Sequence, residues 1–370
     1  MLGEALGNVQ RGYSNMTISH AEATALVARS DEIMRRTPPD VEELQELVTA
    51  AVTTTSLDHA VEALRLIIRT EPRNAQAYWD VGMILEYKAQ FPEAARMYQR
   101  LLRLSPGLQR AEARIEEINE YLAALRVGRP YLGPIMDSQQ NPTGERHPPM
   151  ERLIRGECTR WSGKEFRALE IGSWAGGSAL RWAKAIAELC DRKGFVVCVD
   201  PWREFWDMEV ERRAGAIRMN EALKSGEVFR LFLHNVKAAG LEDLISPLRG
   251  SNTQMLPLLA DEMFDFVYVD GSHSYEHCAY DISQAKRLVR DGQVVAGDDL
   301  VYQLHERDVE DIKQSIAGGT EIAVDPDEQK PYFPGVTLAV AEAFGEVLSC
   351  ETVWAVRRRG SEWENVAIDV

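Results

Sequence analysis

The chain has 370 residues, 45% of them apolar and 27% charged, a composition that excludes a wholly disordered or fibrous protein. Its 42 Lys and Arg stand against 58 Asp and Glu, and the net charge of −16 argues against a protein that coats nucleic acid through its phosphates. The sequence has no run approaching 18 uncharged apolar residues and no leader pattern at its start, so a cytoplasmic protein without membrane or nucleic-acid partners is expected. The five cysteines are odd in number, scattered and without a C-x-x-C pair, which predicts neither a disulfide framework nor a zinc site.

Residues 1–18 are expected to be mobile, and 19–125 to form a helical domain. Helices are predicted at about 41–54, 57–70, 75–88, 91–104 and 109–124, with a further one within 19–36. LDHAVEALRLIIRTEP, beginning at Leu57, lies over FPEAARMYQRLLRLSP, beginning at Phe91, at an offset of 34 residues. Ala60 then matches Ala94, Leu64 matches Tyr98, and Pro72 matches Pro106. Between the copies Gly82 lets a paired helix approach closely. This pattern resembles the tetratricopeptide repeat. Two units and a charged end helix are fewer than the three or so that stand alone, so the array is expected to lean on the neighbouring domain or on a second subunit. A homo-oligomer or a protein partner docked on the repeats follows as the expectation.

Residues 126–150 gather Pro, Gly, Asn and Gln without apolar periodicity, which marks a linker, or a lid carrying Tyr131 and Leu132. From 151 to 370 the short apolar runs FRALEIG, FVVCVD, ISPLRGS, FDFVYVD and QVVAGDD alternate with helices. That alternation predicts an α/β domain with a doubly wound, Rossmann-like parallel sheet and ligands at the carboxyl ends of its strands. SCETVWAVRRR and ENVAIDV add later strands, one of them antiparallel.

The first strand runs into Glu170, Gly172, Gly176 and Gly177 before a helix. The spacing is G-x-x-x-G-G rather than G-x-G-x-x-G, which disfavours NAD. The arrangement resembles the first motif of class I S-adenosylmethionine-dependent methyltransferases, where the acid and glycines surround the amino-acid end of the cofactor. Asp200, ending the second strand, is placed to accept from both ribose hydroxyls. Ser251 and Asn252, after the third, fall where this fold contacts the adenine. Asp270 is assigned to both cofactor and metal.

One strand ends at Asp270 and the next at Asp298 and Asp299, 28 residues later. Three carboxylates at one site repel unless a cation is present, and oxygen ligands suit Mg2+. His273 is placed to take a proton from a substrate hydroxyl, whereas His277 is expected to be structural. VDGSHSYE, DGQVVAGDDL and FPGVTLAVAEAF together resemble the metal-dependent macrocin and mycinamicin type O-methyltransferases, which methylate sugar hydroxyls of natural products. The resemblance covers roughly residues 150–345 and implies Asp270, Asp298 and Asp299 as metal ligands with His273 as base. Trp202, Trp206, Tyr275, Tyr302, Tyr332 and Phe333 are candidates for the acceptor side, and Pro331 to Pro334 for a mobile flap. Two rival readings stay open: a catechol or phenolic O-methyltransferase, whose metal motif usually ends Asp-Asn, and a repeat scaffold with an inactive methyltransferase-like domain.

Overall fold

The computed structural model describes residues 19–137, 147–206 and 214–368, so the start expected to be mobile lies outside the described residues. The chain forms two compact units. One takes residues up to 127 with 133–139 and 203–230, and the other takes 128–132, 140–202 and 231–370.

The first unit is helical: α1 (His20–Ala28), α2 (Ser30–Met34), α3 (Val41–Thr53), α4 (Leu57–Thr70), α5 (Ala75–Tyr87), α6 (Phe91–Leu104) and α7 (Gln109–Val127). At the starts of α3 and α5 side chains satisfy the first free amides: Asp40 accepts from Glu42 N and Glu43 N, and Asn74 from Ala77 N. The repeated positions are the buried ones, Leu57, Ala60, Leu64 and Ile67 on α4 and Phe91, Ala94, Tyr98 and Leu101 on α6. A Cβ at Gly82 would lie 2.5 Å from the Tyr98 ring, so α5 and α6 pack this closely because position 82 is glycine. The unit is completed from far along the chain by α10 (Ala214–Lys224) and the start of α11 (Glu227–Ala238). Lys88 pairs with Glu221 at 3.6 Å, and Tyr121 Oη donates to Glu227 at 2.9 Å.

The second unit begins with α8 (His147–Arg160) and continues as β1 (Phe166–Ile171), α9 (Gly177–Leu189), β2 (Gly194–Asp200), β3 (Ile245–Arg249), α12 (Asn252–Met255), β4 (Phe264–Val269), α13 (Tyr275–Leu288) and β5 (Val289–Gly297). After β5 come α14 (Val309–Ala317), the short pair β6 (Ala323–Val324) and β7 (Pro331–Tyr332), α15 (Pro334–Phe344), β8 (Ser349–Cys350), β9 (Val353–Arg359) and β10 (Glu362–Asn365). The main sheet runs β10-β9-β5-β4-β1-β2-β3, with β3, β2, β1, β4 and β5 parallel and β9 antiparallel to β5. The central strands are covered on both faces, and every residue of β4 is buried, Asp265 included. Fully burying such a Val or Phe is worth about 1.5–3 kcal/mol relative to exposing it.

Strand order reverses between β1 and β4, the switch point where this architecture leaves a crevice. Register brings the strand ends level, since Ile171 pairs with Val199 and Val269, and Val269 with Gly297. Gly172, Asp200, Asp270 and Asp298 therefore follow at one rim. Among the described residues no helix is long and apolar enough to cross a membrane.

Candidate functional site

At the switch point the backbone of β1 continues its pairing one residue further, with Gly172 N donating to Val199 O and Asp270 N donating to Ile171 O, each at 2.9 Å. Gly172 has φ +87°, and a Cβ there would lie 2.0 Å from Asp270 O, so glycine alone lets the two strand ends meet. Asp200 clamps the following turn: its Oδ2 accepts from Ser173 N and Trp174 N at 3.0 Å, and its Oδ1 from Trp202 N at 2.6 Å. Burial pushes the Asp200 carboxyl up, opposed by those three amides. Glu170 is fully buried beneath the turn, accepting from Trp182 Nε1 at 2.8 Å and Cys198 Sγ at 3.8 Å, and burial raises its pKa. Both acids thus bind protein groups that shape the cradle. Gly176, φ +84°, caps α9, and the Phe232 ring lies 2.8 Å from where its Cβ would be. A glycine turn that opens a helix favours a negative group on the ligand.

Asn235 is a part of this cradle that the sequence does not flag. It is fully buried, accepts from Tyr131 N at 2.8 Å, and donates to Tyr131 O at 3.0 Å and Ala175 O at 2.9 Å. Tyr131 is 1% exposed and tied to the glycine turn through Asn235. In sequence Asn235 looks like one more polar residue on an amphipathic helix.

At the ends of β4 and β5 the site is made of side chains. Asp270, His273 and Asp299 each bring one ligand atom within 4.8 Å of the other two. His273 Nε2 lies 2.8 Å from Asp299 Oδ2. A carboxylate accepts only, so Nε2 carries the hydrogen and Nδ1 keeps the lone pair. Burial alone would lower the His273 pKa, but the Asp299 hydrogen bond and the charges of Asp299, Asp270 and Glu321 outweigh it and raise the value. The ring packs on Phe333, centroids 4.3 Å apart. Gly335 presses on the same loop, its Cβ position 2.3 Å from His273 O, which fixes the start of α15 against the turn.

Asp298, expected as a ligand beside Asp270 and Asp299, is outside this cluster. It is buried, and its Oδ1 accepts from Thr352 Oγ1 at 2.5 Å and Asp299 N at 2.8 Å. Adjacent residues at a strand end point to opposite sides, so one of the two acids turns inward while Asp299, at φ +64°, reaches His273. Asn252 donates to Asp281 Oδ2 at 2.8 Å, while Ser251 Oγ meets Thr253 Oγ1 at 3.1 Å. His277 Nδ1 bonds Ser274 Oγ at 2.8 Å at the start of α13.

The aromatic candidates divide. Trp202 is buried against Phe232 and donates to Trp174 O at 2.8 Å. Tyr302 and Tyr332 pack on each other at 5.4 Å with the Arg307 guanidinium over Tyr302. Tyr275 donates to Glu342 at 2.6 Å, and Trp206 belongs to the helical unit. Phe333 is the one in contact with the His273 ring.

Residues 169–300 match the family model of a methyltransferase domain, a span that runs from the residue before Glu170 to just past Asp299. Most of that segment lies in the second unit, and residues 203–230 of it lie in the first. A search of curated proteins gives no match. Among solved structures the chain is similar to the O-methyltransferase TomG of Streptomyces achromogenes, involved in tomaymycin synthesis and solved with S-adenosylmethionine, at 18% identity, 60% coverage of this chain and 75% of that one, TM-score 0.34. It is also similar to an O-methyltransferase of Bacillus cereus with S-adenosylhomocysteine, at 16% identity, covering 62% of this chain and 76% of that one, TM-score 0.34. A cofactor-bound protein from MTB, Rv0187, stands at 19% identity, 62% and 75% coverage, TM-score 0.33.

Proposed function

We propose that the protein transfers a methyl group from S-adenosylmethionine to a hydroxyl of a glycosylated or polyhydroxylated acceptor, a natural product or glycan, with a divalent cation of the Mg2+ kind. The observation that carries this reading is the convergence of Asp270, His273 and Asp299 beside a glycine turn that closes on Asp270 itself. Two carboxylates and an imidazole within 4.8 Å are a donor set that suits a divalent cation, and Asp270 and Asp299 would hold it. Bound there, the cation supplies a lowered pKa to the acceptor hydroxyl.

The chain's own groups do the rest. Asp299 holds the His273 tautomer and stabilises its charge, Phe333 sets the ring plane, and Nδ1 receives the hydroxyl proton. The hydroxyl oxygen bonds the methyl carbon as the sulfur–carbon bond breaks, leaving S-adenosylhomocysteine and neutralising the sulfonium. The cradle at Gly172 and Gly176 would hold the cofactor, and holding it beside the acceptor converts an encounter into a positioned reaction. The helical unit is read as a tetratricopeptide-like docking or self-association module, supported by the Gly82 and Tyr98 contact at the repeat positions.

The cluster also favours a second reading, in which His273 is the third ligand and the cation is one that prefers nitrogen, such as Mn2+ or Zn2+. Titration of each cation into wild type and His273→Ala separates them. As a base, His273 is dispensable for cation affinity while transfer falls ~10²–10⁴-fold; as a ligand, its loss weakens cation binding. Calorimetry with S-adenosylmethionine tests the enzyme reading against an inactive scaffold, which would bind none. Catechol tested beside a glycoside separates phenolic from sugar acceptors.

A further inference from the structure

Among the buried acids that take no part in the methyl transfer, one lies against the residue that follows Asp270. Asp281 lies on α13, 1% exposed, and its Oδ2 accepts from Asn252 Nδ2 at 2.8 Å. Its Oδ1 is buried and has no hydrogen-bond partner among the described residues. Gly271, the residue after Asp270, packs directly on the pair: a Cβ there would lie 2.8 Å from Asp281 Oδ2 and 3.5 Å from Asn252 Nδ2. Burial pushes the Asp281 carboxyl up to about 7, opposed by the Asn252 amide. A carboxylate kept in such a place costs stability, and its one side-chain hydrogen bond among the described residues is with Asn252.

That interaction decides which way Asn252 faces. An amide offers a donor on one side and an acceptor on the other, and alone it presents either. Facing an acceptor-only carboxylate, it must turn its NH₂ inward, which leaves Oδ1 outward. Asn252 opens α12 directly after β3, is half-buried, and its Oδ1 has no partner among the described residues. Taken with the assignment of Ser251 and Asn252 to the base of the cofactor, an outward acceptor is what an exocyclic amino group requires.

We infer that Asp281 is a positioning residue that determines base specificity: it fixes Asn252 with Oδ1 presented to the amino group of adenine, so that the site selects a 6-amino purine over a 6-keto purine. The inference rests on the proposed use of S-adenosylmethionine at this rim. A keto oxygen in place of the amino group would set two acceptors against each other, whereas the amino group completes the pair.

The experiment compares S-adenosylhomocysteine with S-inosylhomocysteine by calorimetry on the full chain at pH 8.5, where Asp281 is ionised. Wild type is expected to prefer the adenosyl ligand by about 10-fold or more, the value of one hydrogen bond gained against one pair of acceptors opposed. In Asp281→Asn the new amide at position 281 accepts from Asn252 or donates to it equally well, so the preference should fall towards one. The swapped pair Asp281→Asn with Asn252→Asp puts an acceptor-only group outward again and should restore the preference. It also carries the comparison if the single variant does not fold. A merely structural role for Asp281 would weaken both ligands by the same factor and leave the ratio intact, and that result overturns the inference. Equal affinity of wild type for the two ligands overturns it as well, with the cofactor reading still standing. If wild type binds neither ligand, the cofactor reading falls and the inference with it.

Discussion

At the end of β1 the site is built of backbone, and at the ends of β4 and β5 it is built of side chains. Gly172, Gly176 and the amides of Ser173 and Trp174 form the first region, and the acids there, Glu170 and Asp200, point at protein groups that hold its shape. In the second, Asp270, His273 and Asp299 converge on one point, and their side chains are the chemistry. Substitutions in the first region should therefore act through shape and cofactor affinity, and substitutions in the second through turnover.

The largest break in the contrast is Gly172→Ala. A methyl 2.0 Å from Asp270 O at φ +87° meets the backbone of Asp270 and Gly271, and a loss of about 3 kcal/mol or more is expected in chemical denaturation, with cofactor binding abolished. Wild-type stability would mean that the strand ends do not meet as described. Next comes Asp299→Ala, which should lower turnover ~10²–10⁴-fold while calorimetry with S-adenosylhomocysteine stays near wild type. A parallel loss of cofactor affinity would erase the distinction between the regions. Asn235→Ala removes three hydrogen bonds from the cradle and should cost about 2 kcal/mol and weaken cofactor binding, leaving the turnover of saturated enzyme close to unchanged.

A further contrast is in the pH dependence of stability. Glu170, Asp200 and Asp281 are all raised by burial, and His273 is raised by its acidic neighbours in spite of burial. Each group binds more protons folded than unfolded, so stability falls as pH rises: from about 4 upward for the acids, and above about 6.5 for the histidine. For Asp281 that loss extends to about 7, and Asp281→Asn should flatten this part of a plot of Tm against pH. An unchanged slope would place the titration elsewhere.

Much of this contrast could be read from residue order. Helix limits followed from the 34-residue repeat and the apolar faces, since local periodicity decides them: α4 and α6 span the ranges expected. The acids at the rim were legible because parallel strands in register end together. Three things were not. The return of residues 203–230 to the helical unit depends on tertiary packing that leaves no local pattern. Asn235 and Asp281 sit on helices where a polar residue ordinarily faces solvent, and their partners are tens of residues away, up to 104 in the case of Tyr131. The exchange of Asp298 for His273 in the converging cluster turns on which of two adjacent acids Thr352 captures, 54 residues after Asp298.

The central claim, that the cluster of Asp270, His273 and Asp299 uses a cation to prepare a hydroxyl for methylation, is tested most directly by transfer of labelled methyl from S-adenosylmethionine to a glycosylated acceptor. The assay is run on the protein as prepared, after chelation, and after Mg2+ is returned. The account predicts transfer that is lost on chelation and restored by the cation; full transfer in chelator would contradict it.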